Sequence, residues 1–376
     1  MRRVLISLGL LLITLQAAAQ MEWHDPMAEN EPPICGRAWN KEIGTEYLRM
    51  PRRMKPLLRK EVWSLAHHTA GLYLHFNTNT SHIWVRYVLT GSTNKAGNMS
   101  ALGHSGVDLY AYDREGRMHW LPNQMYYNLT LKHQSDTVLF RYDDAKIPAA
   151  GAKGWDYVLY LPTYNGVQSL QVGVDKGTTF KWYVPSQDKP IVVYGTSITQ
   201  GAASSRPGMI WTTILERETG LPVINLGFSG NALMEPEVFD AVAETDARAY
   251  IIDCIPNSFR FYKGQEIQTR YPAGIRKIRA KSDAPIIMAE CIVGDDQLFV
   301  SKKDAKKRAA NKILRQVYEQ LKAEGVKGLY YISAEDFSMP RDAMVEGTHP
   351  NDIGMQIYAR TYEKGLAKLG LLSGKK

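Results

Sequence analysis

The sequence predicts an α/β protein of two domains, an N-terminal β-sandwich followed by an α/β/α domain with a parallel sheet. Three observations carry that prediction. At 376 residues the chain exceeds what one hydrophobic core usually serves. Between Gly71 and Tyr183 it offers short runs rich in Val, Ile, Tyr and Trp, many of them alternating apolar and polar residues as half-buried antiparallel strands do. Beyond Pro190 apolar β-branched runs alternate with helical periodicity, which implies a parallel sheet with helices on both faces and right-handed crossovers.

Taken in order, residues 1–20 read as a secretory signal: Arg2 and Arg3, an apolar run from Val4 to Leu15, then Ala17-Ala18-Ala19 at a cleavage site. The run is short for a bilayer span, so a secreted or periplasmic protein without stable membrane insertion after cleavage is expected. From Met21 to about Lys60, Pro26, Pro32, Pro33, Pro51 and Pro56 interrupt any period, and an extended lead-in is expected. Strands are expected over 71–76, 82–89, 106–112, 117–121, 137–142, 157–161, 170–174 and 179–183, with turn-formers such as Asp113 and Gly116 between them. Trp23, Trp39, Trp63, Trp84, Trp120, Trp155 and Trp182 all fall in this half. They suit a small β core or a domain interface, with an exposed sugar-stacking platform as the alternative.

The polar stretch Ser186-Gln187-Asp188-Lys189-Pro190 closes the β half and sets the expected domains at 21–186 and 187–376. Beyond it, strands over 191–194, 223–226, 249–253, 286–289 and 329–332 alternate with helices over 209–218, 236–244, 273–281, 302–324 and 351–369.

Composition excludes several function classes. The formal charge of +8 falls to +6 once Arg2 and Arg3 leave with the signal, a mild excess. The densest basic cluster, Lys302, Lys303, Lys306, Lys307 and Arg308, shares a helical pattern with Ala305, Ala309 and Ile313 and has no interleaved aromatic residue, so it is expected to be a solvated helix face; no nucleic-acid partner is indicated. Cys35, Cys254 and Cys291 are too few and too widely spaced for a disulfide framework or a zinc site; an export signal permits one bridge, but Cys254 and Cys291, at the ends of two expected core strands, are expected as buried thiols. His67-His68 and His104 lack partners at metal-ligand spacing and read as structural histidines. No metal or cofactor motif is present: there is no His-Glu-x-x-His, no Gly-x-Gly-x-x-Gly and no Walker sequence.

The chemistry concentrates in two stretches. Pro190-Ile191-Val192-Val193-Tyr194-Gly195-Thr196-Ser197 is a buried parallel strand that delivers hydroxyls to its carboxyl end, where open α/β sheets bind ligands. Glu346-Gly347-Thr348-His349-Pro350 supplies a carboxylate and an imidazole three residues apart, with a proline suited to the first position of a helix. A serine needs a base to take its proton, and a histidine with a near-neutral pKa serves. Each residue alone has a plainer role: Ser197 or His349 as a helix cap, Asn257 as a turn-former after Pro256.

The blocks Gly195-Thr196-Ser197-Ile198-Thr199, Asn225-Leu226-Gly227-Phe228-Ser229-Gly230-Asn231, Asp253-Cys254-Ile255-Pro256-Asn257 and Glu346-Gly347-Thr348-His349-Pro350 together resemble, in order, the four blocks of the SGNH (GDSL-type) hydrolases. The resemblance spans the C-terminal half and implies a flavodoxin-like α/β/α domain. It implies Ser197 as nucleophile, His349 as base, Glu346 as the acid on the far ring nitrogen, and an oxyanion hole from the Ser197 and Gly230 N–H groups and the Asn257 amide. The family pattern has aspartate where Glu346 stands; Asp342, Asp352 or a backbone carbonyl are the alternatives. The two-domain order is similar to that of carbohydrate O-acetyl esterases with a jelly-roll domain, which implies an acylated carbohydrate substrate. A GDSL-type lipase or lysophospholipase and a non-catalytic carbohydrate-binding protein are the rival readings; Glu290 and Asp295-Asp296 are further candidates for the cleft wall, with a solvated loop as the alternative. Oligomeric state is left open.

Overall fold

The computed structural model describes residues 21–92, 96–123, 137–142, 147, 151–258, 265–293 and 302–372. Among the described residues, ten strands build the N-terminal half: β1 (Met21–His24), β2 (Ile34–Cys35), β3 (Tyr73–Thr78), β4 (Ile83–Leu89), β5 (Asp108–Tyr112), β6 (Met118–Leu121), β7 (Thr137–Arg141), β8 (Trp155–Tyr160), β9 (Val167–Asp175) and β10 (Phe180–Trp182). They form two antiparallel sheets, β1-β9-β4-β7 and β10-β3-β8-β5-β6, with β2 added beside β3. Alternation supplies the inner face: Leu74 and Phe76 of β3, Val85 and Tyr87 of β4, and Leu170 and Val172 of β9 meet in one apolar core. Residues 21–24, expected as part of an extended lead-in, instead pair antiparallel with 172–175, and the Arg86 guanidinium lies over the Trp23 ring at 4.0 Å. A four-residue edge strand carries too little periodicity to be seen among flanking prolines.

Five parallel strands follow: β11 (Ile191–Gly195), β12 (Val223–Gly227), β13 (Ala249–Asp253), β14 (Ile286–Ala289) and β15 (Leu329–Ile332). Their order, β12-β11-β13-β14-β15, is the doubly wound arrangement whose reversal lies between β11 and β13. β11 to β14 are buried on both faces, which is why they read as near-continuous apolar runs, while the edge strand β15 exposes Tyr330. Val192, Tyr194, Leu226, Tyr250, Ile252 and Met288 face the helices Pro236–Ala243, Gln265–Arg279 and Lys302–Ala323. Ile191, Val193, Val223, Ile251 and Ile287 face Trp211–Thr219 and Asp352–Lys368. The helix expected to begin near 273 starts at Gln265, its Pro272 lying inside it. Cys35, Cys254 and Cys291 are buried free thiols.

The two halves are joined by more than the linker. Met50, Met54, Leu58, Val62 and Ala66, which precede most of the sandwich, pack in the core beneath β11, β12 and β13. Arg49 anchors this segment. Its side chain is 1% exposed and meets four backbone carbonyls: Leu65 at 2.7 Å, His68 at 2.7 Å, Asn225 at 3.0 Å and Gly227 at 2.8 Å. Burial lowers its pKa to about 9, so the group is charged at neutral pH with carbonyl dipoles as its hydrogen-bond partners. Arg49→Met should cost about 3–5 kcal/mol in urea unfolding, because it orphans four buried carbonyls. Arg49→Lys should recover little of it, since one ammonium cannot reproduce the planar fork.

Candidate active site

The carboxyl ends of β11, β12 and β13 converge at the strand-order reversal, and three of the implied residues leave from them. After β11, Thr196 caps the short helix Ser197–Gln200, its side chain accepting from the Ile198 N–H. Because Thr196 caps, Ser197 is not spent on that role. Ser197 is 8% exposed, and its Oγ lies 2.8 Å from His349 Nε2 across 152 residues of sequence.

After β12 the chain turns through Phe228, Ser229 and Gly230, with Asn231 N–H donating back to Phe228 O at 2.9 Å. Gly230 adopts φ +69, which glycine takes without steric penalty. After β13, Asn257 lies in the short helix Ile255–Ser258 and accepts the Ala232 N–H at 3.2 Å through Oδ1, so its oxygen is committed and its amide nitrogen faces the other way. Among the described residues, the Ser197 N–H, the Gly230 N–H and the Asn257 Nδ2 make no hydrogen bond. Three uncommitted donors at one sheet end are what a developing oxyanion requires.

The fourth stretch forms a tight loop. Met344 pairs with Pro350, Val345 N–H donates to His349 O at 2.9 Å, and Gly347 takes φ +75 at the tip. The loop turns Glu346 back on its own histidine: Glu346 Oε1 accepts from His349 Nδ1 in a short contact and from the His349 backbone N–H at 3.2 Å. Burial raises the Glu346 pKa, but the imidazole bond, the His349 charge and Lys303 outweigh it, holding the carboxyl below its ordinary value. With Nδ1–H given to Glu346, Nε2 is the free acceptor for the serine proton.

The alternatives for the acid go elsewhere. Asp352 accepts from the Ser205 N–H at 2.8 Å and the Ser205 hydroxyl at 2.5 Å, and Asp342 is tied in through its backbone carbonyl, which accepts from Asn351 Nδ2. Pro350 precedes the N-cap rather than opening the helix: Asn351 caps Asp352–Lys368 through its side chain, because an amide oxygen can satisfy the first N–H groups and a proline cannot. Glu290 is 2% exposed and binds Arg315, Tyr331 and the Ala334 N–H, a structural knot rather than a cleft wall; Asp295-Asp296 lie outside the described residues. Asp253 is fully buried behind Gly195, and desolvation pushes its carboxyl well above the usual range.

Several groups with no sequence signal complete the site. Gln200 Oε1 accepts the Ser229 N–H at 2.9 Å, and its Nε2 lies 3.0 Å from His68 Nδ1 and 3.1 Å from Thr163 O. Burial, then the nearby Arg49 charge, depress the His68 pKa to about 3, which keeps the ring neutral. Arg59 reaches from the N-terminal half to Glu235 at 2.6 Å and Asn231 Oδ1 at 3.0 Å, fixing the turn that carries Gly230. The Tyr164 hydroxyl donates to Ser197 O at 3.3 Å. Tyr164 also lines a cleft of about 700 Å³ with Lys60, Trp63, His67, His68 and His104; the three histidines are hydrogen-bonded within the protein, as expected of structural histidines, and present part of this cleft's wall. Of the tryptophans, Trp63 is half-buried on this cleft, and Trp120, 43% exposed, lines a separate concavity on the sandwich with Trp155. The basic cluster is a solvated helix face except at Lys307, which is 1% exposed with Nζ 2.9 Å from Gly347 O.

Comparison with known proteins fits this arrangement. Residues 188–367 match the model of the GDSL-like lipase/acylhydrolase family, and residues 21–180 match the N-terminus of SGNH-hydrolase-type esterases. A solved structure described as a GDSL-like lipase from Bacteroides ovatus is 28% identical, with a TM-score of 0.81 over 95% of this chain and 100% of that one. The salicylyl-acyltransferase SsfX3 of a tetracycline biosynthetic pathway shares the fold at 18% identity, with a TM-score of 0.69 over 95% of this chain and 99% of that one. A search of curated proteins gave no match.

The choice of acid is open to a direct check. Glu346→Gln should lower kcat by about 10²- to 10⁴-fold, the usual range for disabling acid–base assistance. Asp352→Asn should stay near wild type in the same steady-state ester assay.

Proposed function

The chain belongs to the SGNH/GDSL hydrolases, and from that premise we propose an exported serine esterase that removes short acyl groups, most simply acetyl, from polysaccharide or oligosaccharide hydroxyls. The observation that carries the proposal is the line of contacts from Glu346 through His349 to the Ser197 hydroxyl; Tyr164, which donates to Ser197 O, also lines a cleft with Trp63 and His67. In the first half-reaction Ser197 Oγ gives its proton to His349 Nε2 and bonds to the acyl carbon. The former carbonyl oxygen takes the negative charge and is met by the N–H groups of Ser197 and Gly230 and the Asn257 amide. Glu346 stabilises the imidazolium, which gives its proton to the departing sugar oxygen as the C–O bond breaks, releasing the sugar with a free hydroxyl. Water repeats the sequence on the acyl-Ser197 ester and releases the acid.

A glycan suits the cleft because Trp63 offers an aromatic ring while Ser64 and His67 offer hydrogen-bonding groups beside it, the mixture that sugars require. The lipase reading loses its nearest support, since in the apolar run Met209-Ile210-Trp211 after Ser197 the last two are 0% exposed and Met209 is half-buried against the core around Trp211. The signal-like first twenty residues motivate export.

Acetate release from acetylated xylan, acetylated pectin and a long-chain ester, measured with wild type beside Ser197→Ala, tests the proposal. Activity on an acetylated glycan that vanishes with Ser197 is expected. Trp63→Ala should raise KM for the glycan several-fold while leaving a small activated acetate ester unaffected. Preference for the long-chain ester would select the lipase reading, and glycan binding without turnover in both proteins would select a binding role.

A further inference from the structure

The acid of the site does not stand alone. Glu346 is one methylene longer than aspartate, and its side chain is 37% exposed. A long carboxylate at the rim has rotamers to lose, and each one lost must be held by a partner. Its own loop supplies two donors, His349 Nδ1–H and the His349 backbone N–H. A third comes from the other half of the molecule. Asn98, in the turn before the short helix Ala101–Ser105, places its Nδ2 3.5 Å from Glu346 Oε1 and 3.2 Å from His349 Nδ1. Because Nδ1 carries the proton it gives to Glu346, it cannot accept, so the Asn98 amide is aimed at the carboxylate.

The turn that presents Asn98 is seated on the C-terminal half rather than hanging beside it. Ser100 caps Ala101–Ser105 by accepting the Gly103 N–H at 2.8 Å, and its hydroxyl donates to Ser205 O at 2.8 Å. Ser205 in turn is held by Asp352, three residues beyond His349. Gly103 lies so close to Ser204 O that a Cβ there would approach to 2.3 Å. The seat and the histidine loop therefore share one rigid connection.

We propose that Asn98 is a positioning residue for catalysis, through which the β-sandwich half fixes the Glu346 carboxylate against His349. The inference rests on the triad proposed above. Around this pair, among the described residues, the charged groups are Lys303, bonded to Thr348, and Lys307, bonded to Gly347 O and 3.8 Å from Asp304, all from the helix Lys302–Ala323; the sandwich contributes the neutral Asn98 amide.

A double-mutant cycle tests it, with steady-state hydrolysis of para-nitrophenyl acetate as the readout. Asn98→Ala should lower kcat about tenfold with KM within about twofold, and should cost less than about twofold more when Glu346 is already Gln, since residues acting through one another are not additive. Asn98→Asp keeps the shape and sets a second carboxylate beside Nδ1, which favours the imidazolium, so the acid limb of the kcat/KM profile should move to higher pH. A merely structural Asn98 would give equal losses in both backgrounds and an unmoved acid limb. That result, or wild-type kcat in Asn98→Ala while Ser197→Ala and Glu346→Gln are inactive, would overturn the inference and leave the triad standing. Full activity in Ser197→Ala would instead overturn the triad itself.

Discussion

The buried Arg49 guanidinium ties the N-terminal segment to the strand that leads into the site. Arg49 comes from the N-terminal segment, yet two of its four carbonyl partners, Asn225 and Gly227, belong to the strand that leads into the Gly230 turn. A charge desolvated this far needs hydrogen-bond partners, and four of its five N–H groups find carbonyls drawn from both segments. Arg59 repeats the logic ten residues later, binding Glu235 and Asn231 on the far side of the same turn. The Gly230 N–H is therefore aimed by side chains that are not part of the parallel sheet.

The sheet contributes the complementary constraint. Parallel strands bring their carboxyl ends together, and the reversal of order between β11 and β13 leaves a crevice there that neither crossover helix fills. Ser197 and Asn257 follow the two strands that flank the crevice. The histidine loop arrives from the other end of the domain and is held by its own backbone pairing, by Lys307 beneath it and by Asn98 across it.

This division explains what could be seen in the sequence. Ser197, Gly230, Asn257, Glu346 and His349 lie in short local patterns at strand ends or before a helix, so a linear reading nominates them as candidates, and the parallel fold follows from both-face burial of β11 to β14. Asn98 and Arg49 are invisible in that way, because each acts across 176 to 251 residues and nothing beside it in sequence announces the partner. The same holds for Met50 to Ala66, whose apolar side chains fill a core built mostly from residues beyond 190. Lys307 shows the opposite failure: its helical pattern matches a solvated face, but a carbonyl at the Gly347 turn gives that one ammonium a reason to be buried.

The most direct measurement of the central claim is covalent trapping with an activated alkyl phosphonate ester, followed by peptide mass mapping of the intact protein. A nucleophile activated by His349 and facing three oxyanion donors should be labelled stoichiometrically at Ser197, with loss of esterase activity in step, and His349→Ala should abolish labelling. Labelling at another residue, or full esterase activity after Ser197 has been modified, would contradict the account.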